Sequence, residues 1–241
     1  MKKYLGFGLV VMAVSIVLSS CTGSKGETGP MGPSGSGAPN SNPIYVYKQN
    51  FDGTSYSVGS EWGYLNAGVS AQTGYFVSAS KSMYINGAPW ANTTGGAFTQ
   101  AGVVTFTAAM GDLYCDLYFG TFGSALSNAE FVLVNGTTAL ADLGYQSGSP
   151  ATFYAYNGST AYTLSNVASV PNFHHLRMVY HQATLLSDYW IDDLMVGQGF
   201  APTKTISVAG APGTWVGFYF PNGLQGLTET FYVDNVSVFH Y

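Results

Sequence analysis

The sequence contains very little charge. Its 241 residues include 7 Lys and Arg and 12 Asp and Glu, so only 8% are charged, whereas globular proteins average about 25%. Aromatic residues make up 15% of the chain, and chains that remain disordered have few of them. The basic residues form no patch or stripe of the kind that binds nucleic acid. The sequence therefore predicts a folded domain that does not bind nucleic acid.

Cysteine is also scarce, with only 2 residues in the chain. Cys115 lies in a strand-like run, where a free cysteine is expected to pack as a small hydrophobic residue. Cys21 follows a short basic start, an apolar stretch from Tyr4 to Leu18 and two serines. The apolar stretch is short for a membrane span but is typical of a secretory signal peptide.

The residues Leu18-Ser19-Ser20-Cys21 resemble the lipobox of bacterial lipoproteins. The resemblance implies that residues 1–20 are a signal peptide and that Cys21 is acylated after cleavage. Two or three acyl chains hold a protein stably on a membrane. The expected location is therefore the bacterial cell envelope, with Thr22 favouring the outer membrane or cell surface.

A glycine-rich segment follows this cysteine. Glycine occupies every third position from Gly23 to Gly35, which resembles the Gly-X-Y repeat of collagen. So short a repeat favours a disordered linker over residues 21–43. The alternative is a trimeric stalk, in which the collagen-like segment and the folded domain both self-associate.

Residues 44–241 consist of short apolar runs separated by Gly, Asn, Pro and Ser, with Asn-Gly turn signals at 86, 135, 157 and 222. No long stretch has a helical period. This pattern predicts one all-β domain, an antiparallel β-sandwich or jelly roll. The predicted strands cover residues 44–51, 82–86, 103–108, 113–119, 130–134, 152–156, 161–164, 174–180, 186–196, 204–208, 215–220 and 230–239.

The segment Phe173–Tyr180, followed by Tyr189-Trp190-Ile191-Asp192-Asp193, resembles a strand and hairpin of laminin-G-like domains. Those domains belong to the concanavalin A-like lectin/glucanase superfamily. The last strand, Phe231–Val236, is similar to their closing strand and to that of carbohydrate-binding modules with a galactose-binding-like jelly roll. The resemblance implies a jelly roll that binds carbohydrate.

Few residues are arranged for catalysis. The Glu residues, at positions 27, 61, 130 and 229, are isolated and none forms the Glu-x-Asp-x-x-Glu strand of the glucanases, although retaining chemistry needs carboxyl groups about 5–5.5 Å apart. Asp192 and Asp193 would point to opposite faces of a strand. His174, His175 and His181 are too dispersed for one zinc ion, so we expect them to pack and hydrogen-bond within a sheet. The sequence predicts that the domain is not an enzyme.

Structural calcium is the one candidate cofactor, because jelly rolls of both resembled families often bind it. Asp52 near the first strand and Asp234 on the last are the candidate ligands, and Asp192 is a third. Ca²⁺ takes 6–8 oxygen ligands, so backbone carbonyls would complete the site. The alternative is that these aspartates cap turns.

Sugar binding calls for exposed aromatic rings beside amides and hydroxyls. Trp90 with Asn92, and Trp62 with Tyr64, are the candidate contacts. Trp190 and Trp215 lie in strand-like runs and are expected in the core. The sequence therefore predicts a surface-anchored, non-catalytic binding or adhesion lipoprotein whose partner is a glycan or another envelope protein.

Overall fold

A computed structural model describes residues 42–52, 61–65, 68–86, 95–100, 102–122, 128–148, 150–167, 172–206, 213–220 and 230–241. Its strands, numbered in chain order, are β1 (Ile44–Gln49), β2 (Trp62–Leu65), β3 (Gly68–Gln72), β4 (Ser82–Asn86), β5 (Gly95–Thr99), β6 (Leu113–Gly120), β7 (Asn128–Asn135), β8 (Thr138–Gln146), β9 (Ala151–Asn157), β10 (Thr160–Val167), β11 (Phe173–His181), β12 (Leu186–Ile191), β13 (Leu194–Phe200), β14 (Thr214–Phe220) and β15 (Thr230–His240). A short 3-10 helix spans Ala108–Met110. No helix in the described ranges is long and apolar enough to cross a membrane.

The strands form two antiparallel sheets that pack as a sandwich. The eight-stranded sheet has the order β13-β12-β11-β6-β15-β4-β3, and β1 also pairs with β15. The seven-stranded sheet has the order β10-β9-β8-β7-β14-β5-β2. The predicted all-β sandwich is therefore confirmed.

The alternating pattern of the strands builds the core. Along β6, Leu113, Cys115, Leu117 and Phe119 are buried, and the residues that alternate with them, at positions 114, 116 and 118, are less so. Because successive side chains of a strand point to opposite faces, one face of β6 enters the core and the other faces outward. Aromatic rings from both sheets interlock there, as Phe119 contacts Phe131 of the seven-stranded sheet at 4.7 Å between ring centroids.

Two Asn-Gly pairs form hairpin turns as expected. Gly136 and Gly158 have positive φ angles of 66° and 60°, which glycine adopts without steric penalty, and they join β7 to β8 and β9 to β10. Of the other two pairs, the one at 86 lies partly, and the one at 222 wholly, outside the described part of the chain. The predicted signal peptide and nearly all of the linker also lie outside it.

Several predicted strands differ from the structure. Residues 186–196 form two strands, because Asp192 and Asp193 have positive φ angles of 51° and 65° and make a hairpin turn between β12 and β13. Residues 103–108 are not a strand, and Thr205 makes only an isolated bridge. The prediction missed β2, β3, β5 and β8: β2 has only four residues, and in the other three Gly, Ala, Ser or Asp interrupt the run of large apolar side chains.

Candidate active site

The outer face of the eight-stranded sheet carries a group of charged side chains. Asp116 and Tyr118 of β6 lie on this face, opposite the core positions of the same strand. On β11, Leu176 and Met178 enter the core, so His175 and Arg177 point outward. The register pairs Arg177 with Asp116 and His175 with Tyr118. The antiparallel pairing of β6 and β11 therefore brings together residues that are far apart in the sequence.

Asp116 and Arg177 form a bidentate ion pair. The Arg177 Nε donates to Asp116 Oδ1 at 2.7 Å, and its Nη2 donates to Oδ2 at 2.6 Å. Burial by itself would raise the pKa of Asp116, but the hydrogen bonds from Arg177 and the contact with His175 outweigh it and lower the pKa. Asp116 is therefore a stable anion, and planar bidentate pairing fixes its orientation.

His175 lies between two carboxylates. Its Nδ1 is 2.9 Å from Asp193 Oδ1, and its Nε2 is 3.6 Å from Asp116 Oδ2. The ring stacks on Tyr118 at 4.8 Å between centroids. The contact with Asp116 contributes most to a raised pKa of His175; burial opposes it and Asp193 adds to it. Each nitrogen of the His175 ring therefore faces a carboxylate, and His175 also lines a cavity on this face.

The turn between β12 and β13 holds this part of β11 in place. Asp192 Oδ1 accepts a hydrogen bond from the backbone N–H of His175 at 3.0 Å, and Asp192 Oδ2 lies 2.8 Å from His174 Nδ1. The backbone N–H of Asp192 also donates to the His175 carbonyl at 2.8 Å. Asp192 thus positions the two histidines, and Asp193 reaches His175 because both aspartates adopt the left-handed conformation that Asp tolerates.

A cavity of about 360 Å³ opens beside His175. Ser237 and Asn235 enter it from β15, where the register shifts between Asp234 and Ser237 and Asn235 has a positive φ of 50°. Such a bulge re-aims side chains at a sheet surface. The cavity is lined by Lys48, Gln49, Asp116, Tyr118, His175, Asn235 and Ser237.

The phenol of Tyr118 keeps its proton in this environment. Its pKa is raised, first by burial and then by the negative charges of Asp193 and Asp116. The cavity therefore combines a neutral phenol, an imidazole held by carboxylates, one lysine and two amides. Such convergent polar groups in a concave site are typical of ligand-binding and catalytic sites.

The structure brings two of the three candidate calcium ligands to the same loop. Asp234 Oδ2 accepts hydrogen bonds from the backbone N–H groups of Val77 and Ser78 at 2.7 and 3.1 Å, and Asp52 Oδ1 accepts those of Ser80 and Lys81. Burial, and secondarily the nearby charge of Asp52, raise the pKa of Asp234.

These contacts are those of loop-capping carboxylates. The donors would have to turn away before a cation could bind, and Asp192 contacts His174 and His175 instead. In the described ranges, no group of three or more His, Cys, Asp or Glu side chains is arranged to hold a metal ion. Calcium binding stays a prediction, and this geometry does not fit it.

The predicted glycan contact at Trp62 is wrong. Trp62 is fully buried, stacks on Phe218 at 5.6 Å and donates its indole N–H to the Tyr47 hydroxyl at 2.8 Å. Trp62 was expected to be exposed, but it belongs to β2 and the core. Trp90, Asn92 and the side chain of Tyr64 lie outside the described residues.

Trp215 is buried as expected, but Trp190 is not in the core. It pairs with Arg177 across β11 and β12 and lies on the outer face, only partly buried. The sequence does contain one signal for this site, which was missed. The alternation of β11 places His175 and Arg177 on the same face, and Trp190 lies beside them on the next strand.

No family model and no curated protein matches the sequence. The fold, however, is similar to those of solved structures. A carbohydrate esterase from the Shiga toxin-encoding bacteriophage phi24B has a TM-score of 0.62 and 13% identity, and the match covers 83% of this chain and 99% of that one. The endo-β-1,4-glucuronan lyase of the fungus Trichoderma reesei has a TM-score of 0.53 and 10% identity, covering 82% and 96%. The cellulose induced protein Cip1 has a TM-score of 0.53 and 17% identity, covering 79% and 95%.

At these identities the similarity shows a shared β-sandwich fold. It also corrects the prediction that the domain is not an enzyme, since two of these three proteins are carbohydrate-active enzymes that align over nearly their whole length. That prediction was based on the absence of paired glutamates, a criterion that applies only to glycoside hydrolysis by two carboxyl groups.

Proposed function

We propose that the protein is a carbohydrate-active enzyme whose site is the cavity on the outer face of the eight-stranded sheet. The observation that carries the proposal is the placement of His175: the residue lines the cavity, its Nδ1 contacts Asp193, and its Nε2 lies 3.6 Å from Oδ2 of Asp116 in the Asp116–Arg177 pair. A carboxylate at one imidazole nitrogen orients the ring and leaves the other nitrogen to transfer a proton.

The reaction that these groups fit best is elimination in a uronic acid polysaccharide. In this scheme neutral His175 removes the proton α to the sugar carboxylate, and that electron pair forms a carbon–carbon double bond. The glycosidic carbon–oxygen bond breaks, and the Tyr118 phenol protonates the leaving oxygen. Lys48, by its charge, and the Asn235 amide, by a hydrogen bond, would stabilise the sugar carboxylate as negative charge develops on it, since both residues line the cavity.

Hydrolysis of a sugar ester is the second candidate, because Ser237 shares the cavity with His175. A serine nucleophile needs a hydrogen bond to its base. His175 Nε2 instead contacts Asp116, at 3.6 Å, so elimination, which requires no serine–histidine pair, is the better fit. Like the elimination scheme, the ester reaction requires neutral His175.

The test is an activity panel with alginate, glucuronan, acetylated xylan and cellulose. Ultraviolet absorbance detects the unsaturated uronate of elimination, acetate release detects ester hydrolysis, and new reducing ends detect any chain cleavage. Wild-type protein should give unsaturated product, and His175→Gln should lower its rate by about 10²–10⁴-fold, the range for loss of a general acid or base. If no polymer yields any of these products, the proposal fails.

We further propose that the enzyme is a lipoprotein of the bacterial cell envelope, attached through Cys21 and a flexible linker over residues 21–43. The lipobox-like sequence supports this location. Cys21→Ala should move the protein from the membrane fraction to the soluble fraction, and retention in the membrane would contradict it. The trimeric stalk also stays a prediction, and the mass of the protein with and without residues 22–42 tests it.

A further inference from the structure

Two groups of aromatic side chains flank the cavity on the same outer face. The Tyr75 cluster consists of Tyr75, Tyr84, Phe122 and Tyr232; Tyr75 stacks on Phe122 at 4.0 Å and meets Tyr232 at 5.1 Å between centroids. The Tyr241 cluster consists of Tyr45, Tyr114, Phe239 and Tyr241, and Tyr114 stacks on Phe239 at 5.2 Å. Tyr75, Tyr45 and Tyr241 remain 42%, 48% and 41% exposed.

The backbone of β6 and β15 sets the order of these features. Gly120 of β6 pairs with Tyr232 in the first cluster, Asp116 pairs with Ser237 at the cavity, and Tyr114 pairs with Phe239 in the second cluster. A Cβ at Gly120 would lie 2.5 Å from the Phe122 ring, so glycine is required for Phe122 to lie against the sheet. The two clusters therefore lie on either side of the cavity, at opposite ends of β6.

The two aromatic clusters are too far apart for one sugar ring to contact both. From Gly120 to Tyr114, β6 rises by about 20 Å, which several linked sugar rings are needed to span. Tyrosine rings present an apolar face and a polar edge, which suits stacking on sugar rings while hydroxyls remain hydrated. Lys48 lies between the cavity and the second cluster, with its Nζ 4.9 Å from the Tyr45 ring centroid, and adds positive charge for an acidic chain.

We infer that the two aromatic clusters are outer sugar subsites, so that the protein binds an internal segment of a linear polysaccharide along β6 and β15, with the cavity at its centre. This inference rests on the proposed function, because it assigns the same face to the substrate. It adds that the substrate is a polymer, bound at both ends of the site, and that short fragments leave at least one cluster empty.

The test measures binding of disaccharides and hexasaccharides prepared from alginate, glucuronan and cellulose, by calorimetry on His175→Ala protein so that the ligands are not consumed. At least one hexasaccharide should bind more tightly than its disaccharide. Tyr75→Ala and Tyr241→Ala, made in the same background, should each weaken hexasaccharide binding by about tenfold, the ratio that about 1.4 kcal/mol gives. Neither change should affect the disaccharide.

Tyr162→Ala is the matched control, because Tyr162 is 49% exposed but belongs to β10 of the other sheet. It should leave all affinities unchanged. Equal affinity for disaccharide and hexasaccharide, or unchanged hexasaccharide binding in both variants, would overturn the inference and leave the proposed function standing. Failure of every saccharide to bind contradicts both. A dimer that dissociates on Tyr45→Ala would mean that a second copy occupies the face, which also overturns the inference.

Discussion

The two sheets each carry a charged cluster on their outer faces, and the clusters differ in burial. The open cluster, on the eight-stranded sheet, consists of Asp116, His175, Arg177 and Asp193 beside the cavity. The buried cluster, on the seven-stranded sheet, consists of Glu130, Asp142 and Lys204. Both carboxylates of the buried cluster are fully shielded from solvent, and Lys204 Nζ contacts Glu130 Oε2 and lies 4.0 Å from Asp142 Oδ2.

The chain segment that carries Lys204 covers the buried cluster. The N–H of Ile206 donates to the Thr137 carbonyl at 2.9 Å, and the N–H of Gly158 donates to the Ala201 carbonyl at 2.8 Å. These bonds hold residues 201–206 against the turns that follow β7 and β9. The lysine is thereby fixed over two acidic side chains, where it has one positive charge for two carboxylates.

Burial determines how the same types of groups behave in the two clusters. Desolvation, opposed by Lys204, raises the pKa of Glu130, and desolvation with the charge of Glu130 raises the pKa of Asp142 well above its ordinary value. In the open cluster the pKa of Asp116 is lowered instead. Only the open cluster therefore holds a fixed anion beside an accessible imidazole, which is what proton transfer to a ligand requires.

The largest expected effect is that of removing the buried cation. Lys204→Met leaves two carboxyl groups without a compensating charge, and breaking a buried pair in this way costs about 3–5 kcal/mol. We expect that loss in the free energy of unfolding at pH 7, measured with denaturant, and a smaller loss at pH 5. Carboxyl groups whose pKa is higher in the folded state take up protons on folding, so a lower pH reduces the loss of stability in the variant. Lys81→Met, outside both clusters, is the control, and an equal loss in both variants contradicts this view.

The same chemical change, Asp to Asn, should affect stability differently in the two clusters. Asp116→Asn removes a carboxylate whose pKa is lowered by Arg177, so it should destabilise the protein at pH 7 by about 1.5–3 kcal/mol, the range for hydrogen bonds to charged groups. Asp142→Asn replaces a carboxyl group that resists ionisation, so the free energy of unfolding should stay the same or rise. Denaturant midpoints of both variants measure the difference, and loss of stability in both would remove the distinction between the clusters.

The smallest expected effect concerns His181, at the far end of β11. Burial would lower its pKa, but hydrogen bonds with Asp112 and Asp188 raise it above 6.5. The stability from these contacts is complete below pH 6.5 and is lost as the pH rises through the raised pKa. Because the contacts are partly exposed, they contribute less than about 1 kcal/mol. The slope of stability against pH above neutrality should be shallower in His181→Gln, and an unchanged slope contradicts the assignment.

Local patterns in the sequence predicted the fold class but not every strand. Alternating runs such as β6 and the Asn-Gly turns at 135 and 157 carry their conformation in a few adjacent residues. The strand pattern joined residues 186–196 into one strand because Asp is a weaker sign of positive φ than glycine, although the resemblance to a laminin-G-like hairpin implied a turn there. Strand β8 was missed because Ala, Gly and Asp interrupt its apolar pattern. Trp62 was assigned to the surface because its neighbours are small and polar.

The site was harder to predict because cross-strand register joins its residues. Asp116 and Arg177 are 61 positions apart, and the local sequence of neither strand indicates which strand pairs with it. His175 was recognised as a sheet residue that forms hydrogen bonds, which is correct. Its partners, Asp193 across the turn and Asp116 on β6, are what make it a candidate for proton transfer, and they follow only from the pairing of β6, β11 and β12.

The most direct test of the division between the clusters is polysaccharide turnover by His175→Gln and Lys204→Met, assayed side by side under conditions where both variants are folded. The polymer is the one on which the wild type is most active. We predict that His175→Gln lowers turnover by about 10²–10⁴-fold with little change in stability, while Lys204→Met retains turnover close to that of the wild type. Full turnover by His175→Gln would contradict the assignment of the open cluster as the active site.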